Sequence, residues 1–187
     1  MTVNHKNLMV KTTSIQGLLI LERPKHQDER GFFREIFHLD EVEEALNAEF
    51  NGIQMNHAYS EPSVLRGIHA ESWNKIVYPI NGQIFAAIAD IRTDSPTFGK
   101  VETFVIDDLN KIALFVSKGL ANSYCVTFDA PVDYIYLVDS YYDGTDTRAV
   151  AWDDPDLNIA WPIKNPIISE RDKKNPKLRD LFPERFK

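Results

Sequence analysis

From position 54 onward, the sequence is a series of short segments of β-forming residues with turn-forming residues between them. The segments are 64–70, 75–80, 83–91, 101–106, 112–116, 121–127 and 132–139. The turn signals between them include Asn81-Gly82, Ser95-Pro96 and Lys118-Gly119. Short strands that recur at this spacing are typical of an antiparallel sandwich or barrel. The sequence therefore predicts a mainly β fold.

Helical signals are few and short. In residues 40–47, Asp40 stands at a capping position, Glu43 follows three residues later, and the apolar residues form one stripe. Beyond Trp152 the chain is rich in Asp and Pro, with weaker helix signals at 169–172 and 178–182. Because no repeat, low-complexity tract or flexible linker interrupts the chain, we predict one domain, 1–187, with a few short peripheral helices.

Composition excludes several classes of function. The chain has 187 residues, of which 43% are hydrophobic, and no apolar run approaches the ~20 residues that a membrane span needs. A net charge of -7 argues against non-specific nucleic-acid binding, so an anionic ligand must meet locally gathered Arg and Lys. The single cysteine, Cys125, indicates a reducing compartment, and we expect a cytoplasmic protein in which this thiol is packed in the core.

The segment 63–75 holds the sharpest candidates for chemistry. It places Arg66, His69 and Lys75 within one short β-like run. These side chains are an anion-binding fork, a base that titrates near neutral pH and a fixed positive charge. Together they suit binding of a phosphorylated sugar, removal of a proton from carbon and stabilisation of the resulting oxyanion. The alternative is structural: a buried, hydrogen-bonded histidine, a surface arginine and a snorkelling lysine.

Strand geometry sets a condition on this site. Strand residues three positions apart face opposite sides, so Arg66 and His69 share a pocket only if the strand bulges near Gly67. Otherwise Arg66 must serve another subunit.

Two further residues are candidates for acid–base roles. Alternation in the segment 132–138 puts Tyr134 and Tyr136 on one face, where core aromatics are the simplest interpretation. A phenol facing a sugar would instead donate a proton on the side opposite His69. Asp172 is either a solvated residue in a first helical turn or, if it folds back on His69, an orienting carboxylate.

The histidines argue against a metal centre. They are His5, His26, His38, His57 and His69. None lies in the later half of the chain and no His-x-His pair occurs, whereas metal-binding double-stranded β-helices usually take ligands from both an early and a late strand. No glycine-rich phosphate loop is present either. We therefore expect neither a metal nor a phosphate-loop cofactor site.

A series of motifs between about positions 17 and 172 resembles one known family. The motifs are Asp28-Glu29-Arg30-Gly31-Phe32-Phe33, Gln54-x-Asn56-His57, Leu65-Arg66-Gly67-Ile68-His69, Lys75-Ile76-Val77, Ser95-Pro96-Thr97-Phe98-Gly99, Tyr136 before Tyr141-Tyr142, Trp152-x-Asp154-Pro155, Ile159-x-Trp161-Pro162 and Ser169-x-x-Asp172. In this order they resemble the dTDP-4-dehydrorhamnose 3,5-epimerase family. The resemblance implies a cupin-type double-stranded β-helix, or jelly roll.

The resemblance also implies an activity and roles. The expected reaction is cofactor-independent epimerisation at C3, C5 or both of a nucleotide-linked 4-keto-6-deoxy sugar, in a homodimer. His69 corresponds to the base and Asp172 to its partner. Tyr136 corresponds to the acid on the other face, and Lys75 lies near the enolate oxygen. The residues that correspond to substrate-binding positions are Arg30, Glu35, Gln54, Asn56, His57, Arg66, Asn122, Tyr142 and Arg171.

Several positions depart from the family pattern. Ala70 and Glu71 stand where an aromatic residue and Gln usually follow the base, and the segment from His69 to Lys75 is shorter. A family Asp–His pair is replaced by Ala86 and Asn122. These changes leave the nucleotide, the sugar and the number of inverted centres open. Two alternatives also stay open: a 3,4-ketoisomerase of the same fold, and a non-catalytic nucleotide-sugar-binding cupin.

Overall fold

The computed structural model describes residues 9–142 and 147–186. Its regular elements are thirteen β-strands, two short α-helices and two 3₁₀ helices, Asp172–Lys174 and Pro183–Phe186. The strands are β1 (Val10–Thr12), β2 (Leu18–Leu21), β3 (His26–Asp28), β4 (Gly31–Phe33), β5 (Gln54–Ser60), β6 (Leu65–Glu71), β7 (Lys75–Pro79), β8 (Ile84–Asp90), β9 (Val101–Ile106), β10 (Ala113–Val116), β11 (Leu120–Val126), β12 (Val132–Val138) and β13 (Thr147–Ala149). The helices are α1 (Leu39–Leu46) and α2 (Leu178–Leu181).

Two antiparallel sheets form the body of the molecule. The larger has six strands in the order β1-β2-β10-β7-β12-β5, and the smaller has five in the order β13-β6-β11-β8-β9. Neighbours in each sheet come from distant parts of the chain, as in a jelly roll. The predicted mainly β, cupin-type fold is therefore confirmed.

The main core lies between the two sheets. It includes Leu18 and Leu114 from the larger sheet and Ile84, Ile88 and Ile106 from the smaller one, all almost fully buried. Alternation along each strand sends every second side chain into this layer. A cavity lies beside this layer, and Tyr124 and Tyr134 belong to both.

The outer faces of both sheets are covered as well. On the larger sheet, Val42 of α1 and Phe50 pack with Phe115 of β10. On the smaller sheet, Leu178 and Phe182 from the C-terminal segment pack with Ile68 of β6. The C-terminal segment is thereby fixed against the strand that carries His69.

The helix start differs from its prediction. Helix α1 begins at Leu39, with His38 rather than Asp40 at the N-cap. The Asp40 carboxylate instead accepts a hydrogen bond from the Glu41 amide at 3.0 Å, inside the first turn. An acidic residue there still suits the positive end of the helix dipole. Neither α-helix in the described part of the chain is long and apolar enough to cross a bilayer.

Candidate active site

A cavity of about 750 Å³ lies between the sheets and receives most of the predicted site residues. This volume is in the range of small-molecule sites. The predicted site residues that line it are Gln54, Asn56, Arg66, His69, Lys75, Asn122, Tyr136, Tyr142, Arg171 and Asp172. His69 enters from β6 in the smaller sheet, whereas Tyr136 enters from β12 in the larger one. The two side chains therefore approach the cavity from opposite walls.

A β-bulge lets Arg66 and His69 share this cavity. On β11, Asn122 pairs with His69 and Tyr124 pairs with Arg66, so three steps on β6 match two on β11. Gly67 lies in the irregular stretch with φ +127°. A Cβ there would stand 2.3 Å from Cβ of Ser123. Glycine is thus required by both backbone conformation and space, and the expected bulge near Gly67 is present.

His69 and Asp172 form a hydrogen-bonded pair at the cavity wall. His69 Nε2 lies 2.7 Å from Asp172 Oδ1. Their side chains are 17% and 6% exposed, so water competes little for this contact. An ionised carboxylate only accepts hydrogen bonds, so neutral His69 carries its proton on Nε2 and has its lone pair on Nδ1, which Arg171 Nη2 approaches to 3.4 Å. Nδ1 is therefore the ring nitrogen of neutral His69 that can accept a proton.

The turn around Asp172 explains its charge state. Ser169 Oγ accepts a hydrogen bond from the Asp172 amide at 3.0 Å, which fixes the backbone. Burial by itself raises the pKa of Asp172, but the hydrogen bond and charge of His69, aided by Ser169 and Arg171, outweigh burial and hold it at about 2. Asp172 is therefore ionised at neutral pH.

Two arginines place positive charge at the cavity. Arg66 Nε donates to Ser60 Oγ at 2.9 Å, and its Nη2 donates to the Tyr59 carbonyl at 2.9 Å, so the guanidinium is held by the end of β5. Arg171 Nη2 lies 3.4 Å from His69 Nδ1 and 3.0 Å from His69 Nε2. Its side chain is 62% exposed, and its Nε lies 3.5 Å from Asp172 Oδ1.

Lys75 does not enter the site as an isolated cation. Its ammonium forms a salt bridge with Glu71, and the two side chains are only 5% and 15% exposed. Lys75 belongs to β7 of the larger sheet and Glu71 to β6 of the smaller one, so the ion pair joins the two walls of the cavity. The carboxylate of Glu71 offsets the charge of the ammonium, so the pair as a whole presents no net charge to the cavity.

Tyr136 faces the same cavity with its hydroxyl protonated. Burial raises the pKa of Tyr136, and the negative charge of Glu71 raises it further, while the charge of Arg66 lowers it. A phenol with a raised pKa keeps its proton near neutral pH and is suited to donate it.

Three predicted binding residues lie away from this cavity. Arg30 is 84% exposed on the β3–β4 hairpin and pairs with Asp28. Glu35 accepts a hydrogen bond from Arg23 Nη2 at 2.9 Å. His57 projects from the other face of β5, where its Nε2 lies 2.7 Å from Asp133 Oδ1. Their substrate-binding roles stay predictions.

Some cavity residues were not predicted as site residues. Glu71, Trp73 and Tyr134 line the cavity beside the predicted set. Trp73 is buried and packs edge to face with the more exposed ring of Tyr142, with ring centroids 6.2 Å apart. Glu71 was visible in the sequence as a departure from the family pattern, and Tyr134 as the residue that shares a face with Tyr136. In the part of the chain that the structure describes, no three His, Cys, Asp or Glu side chains converge as metal ligands.

Comparisons with known proteins agree with this geometry. A family model for dTDP-4-dehydrorhamnose 3,5-epimerase matches residues 12–180. The dTDP-4-dehydrorhamnose 3,5-epimerase of Shigella flexneri is 36% identical over 172 residues, covering 90% of this chain and 94% of its own. NovW, a 4-keto-6-deoxy sugar epimerase from the novobiocin biosynthetic gene cluster of Streptomyces spheroides, has a TM-score of 0.89 at 29% identity, covering 94% of this chain and 89% of NovW.

A second solved structure carries a ligand. ChmJ, a 3'-monoepimerase from Streptomyces bikiniensis, was crystallised in complex with dTDP-quinovose. It has a TM-score of 0.83 at 33% identity, covering 93% of this chain and 89% of ChmJ. With the family model matched over most of its length, the chain belongs to the dTDP-4-dehydrorhamnose 3,5-epimerase family.

Proposed function

We propose that this protein is an isomerase that inverts C3, C5 or both in a 4-keto-6-deoxy hexose linked to a nucleoside diphosphate, with dTDP as the nucleotide. The observation that carries the proposal is the entry of His69 and Tyr136 into one cavity from opposite sheets. Inversion at carbon requires a base on one face of the sugar and an acid on the other. His69 on the smaller sheet and Tyr136 on the larger sheet meet that requirement.

The first step is removal of a proton next to the ketone. A 4-ketone acidifies the hydrogens on C3 and C5, because the carbanion delocalises onto oxygen as an enolate. His69 Nδ1 takes the proton, and the carboxylate of Asp172, 2.7 Å from Nε2, stabilises the imidazolium that forms. A base with a reference pKa of about 6.5 works well near neutral pH.

The second step returns a proton to the opposite face. Tyr136 donates its phenolic proton to the enolate carbon, which inverts the centre. Lys75, which forms a salt bridge with Glu71, is the group that we place near the enolate oxygen. One preorganised donor at such an oxygen stabilises the transition state by about 3–4 kcal/mol.

Positive charge near the cavity supports diphosphate binding. Arg66 and Arg171 both line it, and arginine matches the oxygens of a phosphate with paired N–H donors. They supply the local cations that an acidic chain needs in order to bind a nucleoside diphosphate.

We also propose that the active protein is a homodimer in which the β3–β4 hairpin reaches the partner's cavity. Phe32 and Phe33 of this hairpin are 51% and 68% exposed, more than an isolated surface normally leaves for adjacent aromatics. Arg30 lies on the same hairpin, is 84% exposed and does not line the cavity of its own chain. Burial of the hairpin against a second copy would cover the aromatics and bring Arg30 to a diphosphate.

The alternatives predict different chemistry. A 3,4-ketoisomerase would move the carbonyl and has less need of a phenol on the far wall. A non-catalytic sugar-binding protein has no need of the His69–Asp172 pair. We place the reaction in the cytoplasm, where the buried free thiol of Cys125 is compatible with a reducing compartment.

Incubation with dTDP- and GDP-linked 4-keto-6-deoxy sugars in heavy water tests the proposal. We expect deuterium at C3, C5 or both and an inverted product, read by NMR and mass spectrometry. In His69→Asn, uptake should fall by about 10²–10⁴-fold, because the variant lacks a general base. A shifted carbonyl would identify a ketoisomerase. Uptake that persists in His69→Asn would remove His69 from the mechanism.

A further inference from the structure

The arginine and lysine side chains that line the cavity are held in different ways. In the described part of the chain they are Arg66, Lys75 and Arg171. Lys75 forms a salt bridge with Glu71, and Arg171 Nε lies 3.5 Å from a carboxylate oxygen of Asp172. Arg66 has no carboxylate of a described residue within salt-bridge distance, although two hydrogen bonds hold its guanidinium. Its positive charge is therefore fixed in place without being offset by an ion pair.

The groups that hold Arg66 are electrically neutral. Its Nε donates to Ser60 Oγ and its Nη2 to the Tyr59 carbonyl, each at 2.9 Å. Ser60 Oγ also lies 2.9 Å from the Tyr124 hydroxyl, so this acceptor has a second hydrogen-bond partner. Burial raises the pKa of Tyr124 and outweighs the hydrogen bond of Ser60 and the charge of Arg66, which lower it. Tyr124 therefore stays protonated at neutral pH and adds no negative charge beside Arg66.

The network around Arg66 joins the two sheets. Arg66 on β6 pairs in register with Tyr124 on β11, and both strands belong to the smaller sheet. Ser60 is the last residue of β5 in the larger sheet, where it pairs with Val132. Ser60 and Tyr124 are 1% and 3% exposed, so water competes little for their contacts. The Tyr124 ring also stacks on Tyr134, with centroids 4.2 Å apart, so the whole anchor is built on strands and packed rings.

We propose that Ser60 and Tyr124 are positioning residues for diphosphate binding, which hold Arg66 in the orientation that meets a ligand phosphate and leave its charge available. An arginine carries more N–H donors than its contacts with Ser60 and Tyr59 use, so donors remain for phosphate oxygens. This role rests on the proposed function, in which Arg66 binds the diphosphate of the substrate. It gives nucleotide affinity a determinant in two residues that were not predicted as site residues.

Positioning of this kind acts through both entropy and charge. A mobile arginine side chain loses rotamer freedom when a ligand fixes it, whereas one that is already held loses little. Immobilising one such side chain lowers affinity by about two- to tenfold. Neutral anchors add to this advantage, because a carboxylate would compete with the phosphate for the same N–H donors.

Calorimetric titration with dTDP tests the role of the two residues. We expect Ser60→Ala to bind dTDP about 3–10-fold more weakly than the unmodified protein, because Arg66 loses the acceptor for its Nε. Tyr124→Phe is the second variant, and it keeps the ring that stacks on Tyr134. It should bind about 2–5-fold more weakly, because Ser60 keeps its bond to Arg66 but loses its own partner.

A double-mutant cycle with Arg66→Ala distinguishes positioning from a change in the shape of the cavity. Arg66→Ala alone should weaken dTDP binding by at least about tenfold, since it removes charge-assisted hydrogen bonds to phosphate. In that background, adding Ser60→Ala or Tyr124→Phe should weaken binding by less than about twofold more. A merely structural role for Ser60 or Tyr124 would give the same loss whether Arg66 is present or absent.

Ser123→Ala is the matched control for Ser60→Ala. Ser123 is likewise 1% exposed, and its hydroxyl donates to the Ala87 carbonyl at 2.8 Å. It does not line the cavity. We expect the dTDP affinity of Ser123→Ala to stay within about twofold of that of the unmodified protein.

The possible failures differ in what they remove. If Ser60→Ala and Tyr124→Phe bind dTDP as tightly as the unmodified protein, the Tyr59 carbonyl is enough to hold Arg66 and the inference is wrong. Losses that persist at full size beside Arg66→Ala would also overturn it. Unchanged affinity in Arg66→Ala would show that Arg66 does not bind the diphosphate, which removes the inference but not the nucleotide. If the unmodified protein does not bind dTDP, the proposed nucleotide is wrong, and the inference fails with it.

Discussion

The hydrogen bond between His69 and Asp172 joins residues 103 positions apart and fixes which ring nitrogen of His69 can act as the base. The types and spacing of Arg66, His69 and Lys75 predicted a shared pocket on condition of a bulge near Gly67, and the structure has that bulge. The pairing of Lys75 with Glu71 was not predictable. It depends on where the short segment after β6 places the start of β7, and local sequence does not encode that distance.

At residue scale, Tyr136→Phe separates exchange from inversion. The variant keeps the ring but loses the proposed proton donor, so His69 should still remove and return a proton on its own face. We expect deuterium uptake to continue while inverted product forms about 10²–10⁴-fold more slowly. NMR of the product in heavy water measures both quantities. Normal yields of inverted product would show that Tyr136 is not the acid.

Glu71→Gln tests the ion pair and its effect on Tyr136. The charges that act on this phenol are those of Glu71, Arg66 and Tyr142. A nearby carboxylate disfavours the phenolate and so raises the pKa of Tyr136, and its removal must lower that pKa. Because the acid has to be protonated, the alkaline limb of the kcat–pH profile should move to lower pH.

The same substitution should also weaken the fold. It leaves the buried Lys75 ammonium without its carboxylate, at a cost of about 3 kcal/mol to the free energy of unfolding. Glu71→Asp keeps the charge and should restore the pH profile more fully than the stability. An unchanged alkaline limb in Glu71→Gln would mean that Glu71 does not influence the proton donor.

At the scale of elements, strands were easier to predict than helix ends. The predicted 75–80, 101–106 and 132–139 correspond to β7, β9 and β12 within one residue at either end, because turn residues bound each apolar run. The three-residue strands β1, β3 and β13 were missed, because three residues are too few to show the alternation of apolar and polar side chains that marks a strand. The predicted N-cap residue of α1 was wrong. The actual one, His38, has no side-chain oxygen that could cap the helix, so its side chain does not signal a helix start.

The bulge on β6 gives a prediction about stability. In Gly67→Ala, the added methyl group meets both an unfavourable φ of +127° and Ser123 Cβ at 2.3 Å. We expect the free energy of unfolding to fall by about 3–5 kcal/mol, measured by urea denaturation. Gly31→Ala is the control, because φ is +123° there but no described atom lies within 4 Å of the added Cβ.

Comparison of the two variants isolates the steric part. Gly31→Ala should lose only the backbone component, about 1–3 kcal/mol. Equal losses in both variants would mean that β6 can shift away from Ser123, and that close packing does not maintain the bulge which sets Arg66 beside His69.

For the whole molecule, the cavity depends on contacts that no local pattern contains. Gln54 and Tyr136 lie on adjacent strands of one sheet, His69 lies on the other, and Asp172 returns from the C-terminal segment. From the sequence, only the resemblance to a family could predict that these four residues share one site. It could not say which residues act within one chain, and Arg30 lies outside its own chain's cavity. A single domain over 1–187 likewise stays a prediction.

Subunit complementation decides where Arg30 acts. If the β3–β4 hairpin reaches the partner's cavity, Arg30→Ala and His69→Asn should each be impaired as homodimers. After the two are unfolded together and refolded, a mixed dimer contains one site with His69 from the first variant and Arg30 from the second. That site is complete, so a 1:1 mixture should recover about a quarter of the unmodified activity, since half of the dimers are mixed and each has one intact site.

If Arg30 acts within its own chain, no mixed dimer contains a complete site, and activity should stay at the mean of the two variants. Sedimentation of the unmodified protein as a monomer would contradict the shared site altogether.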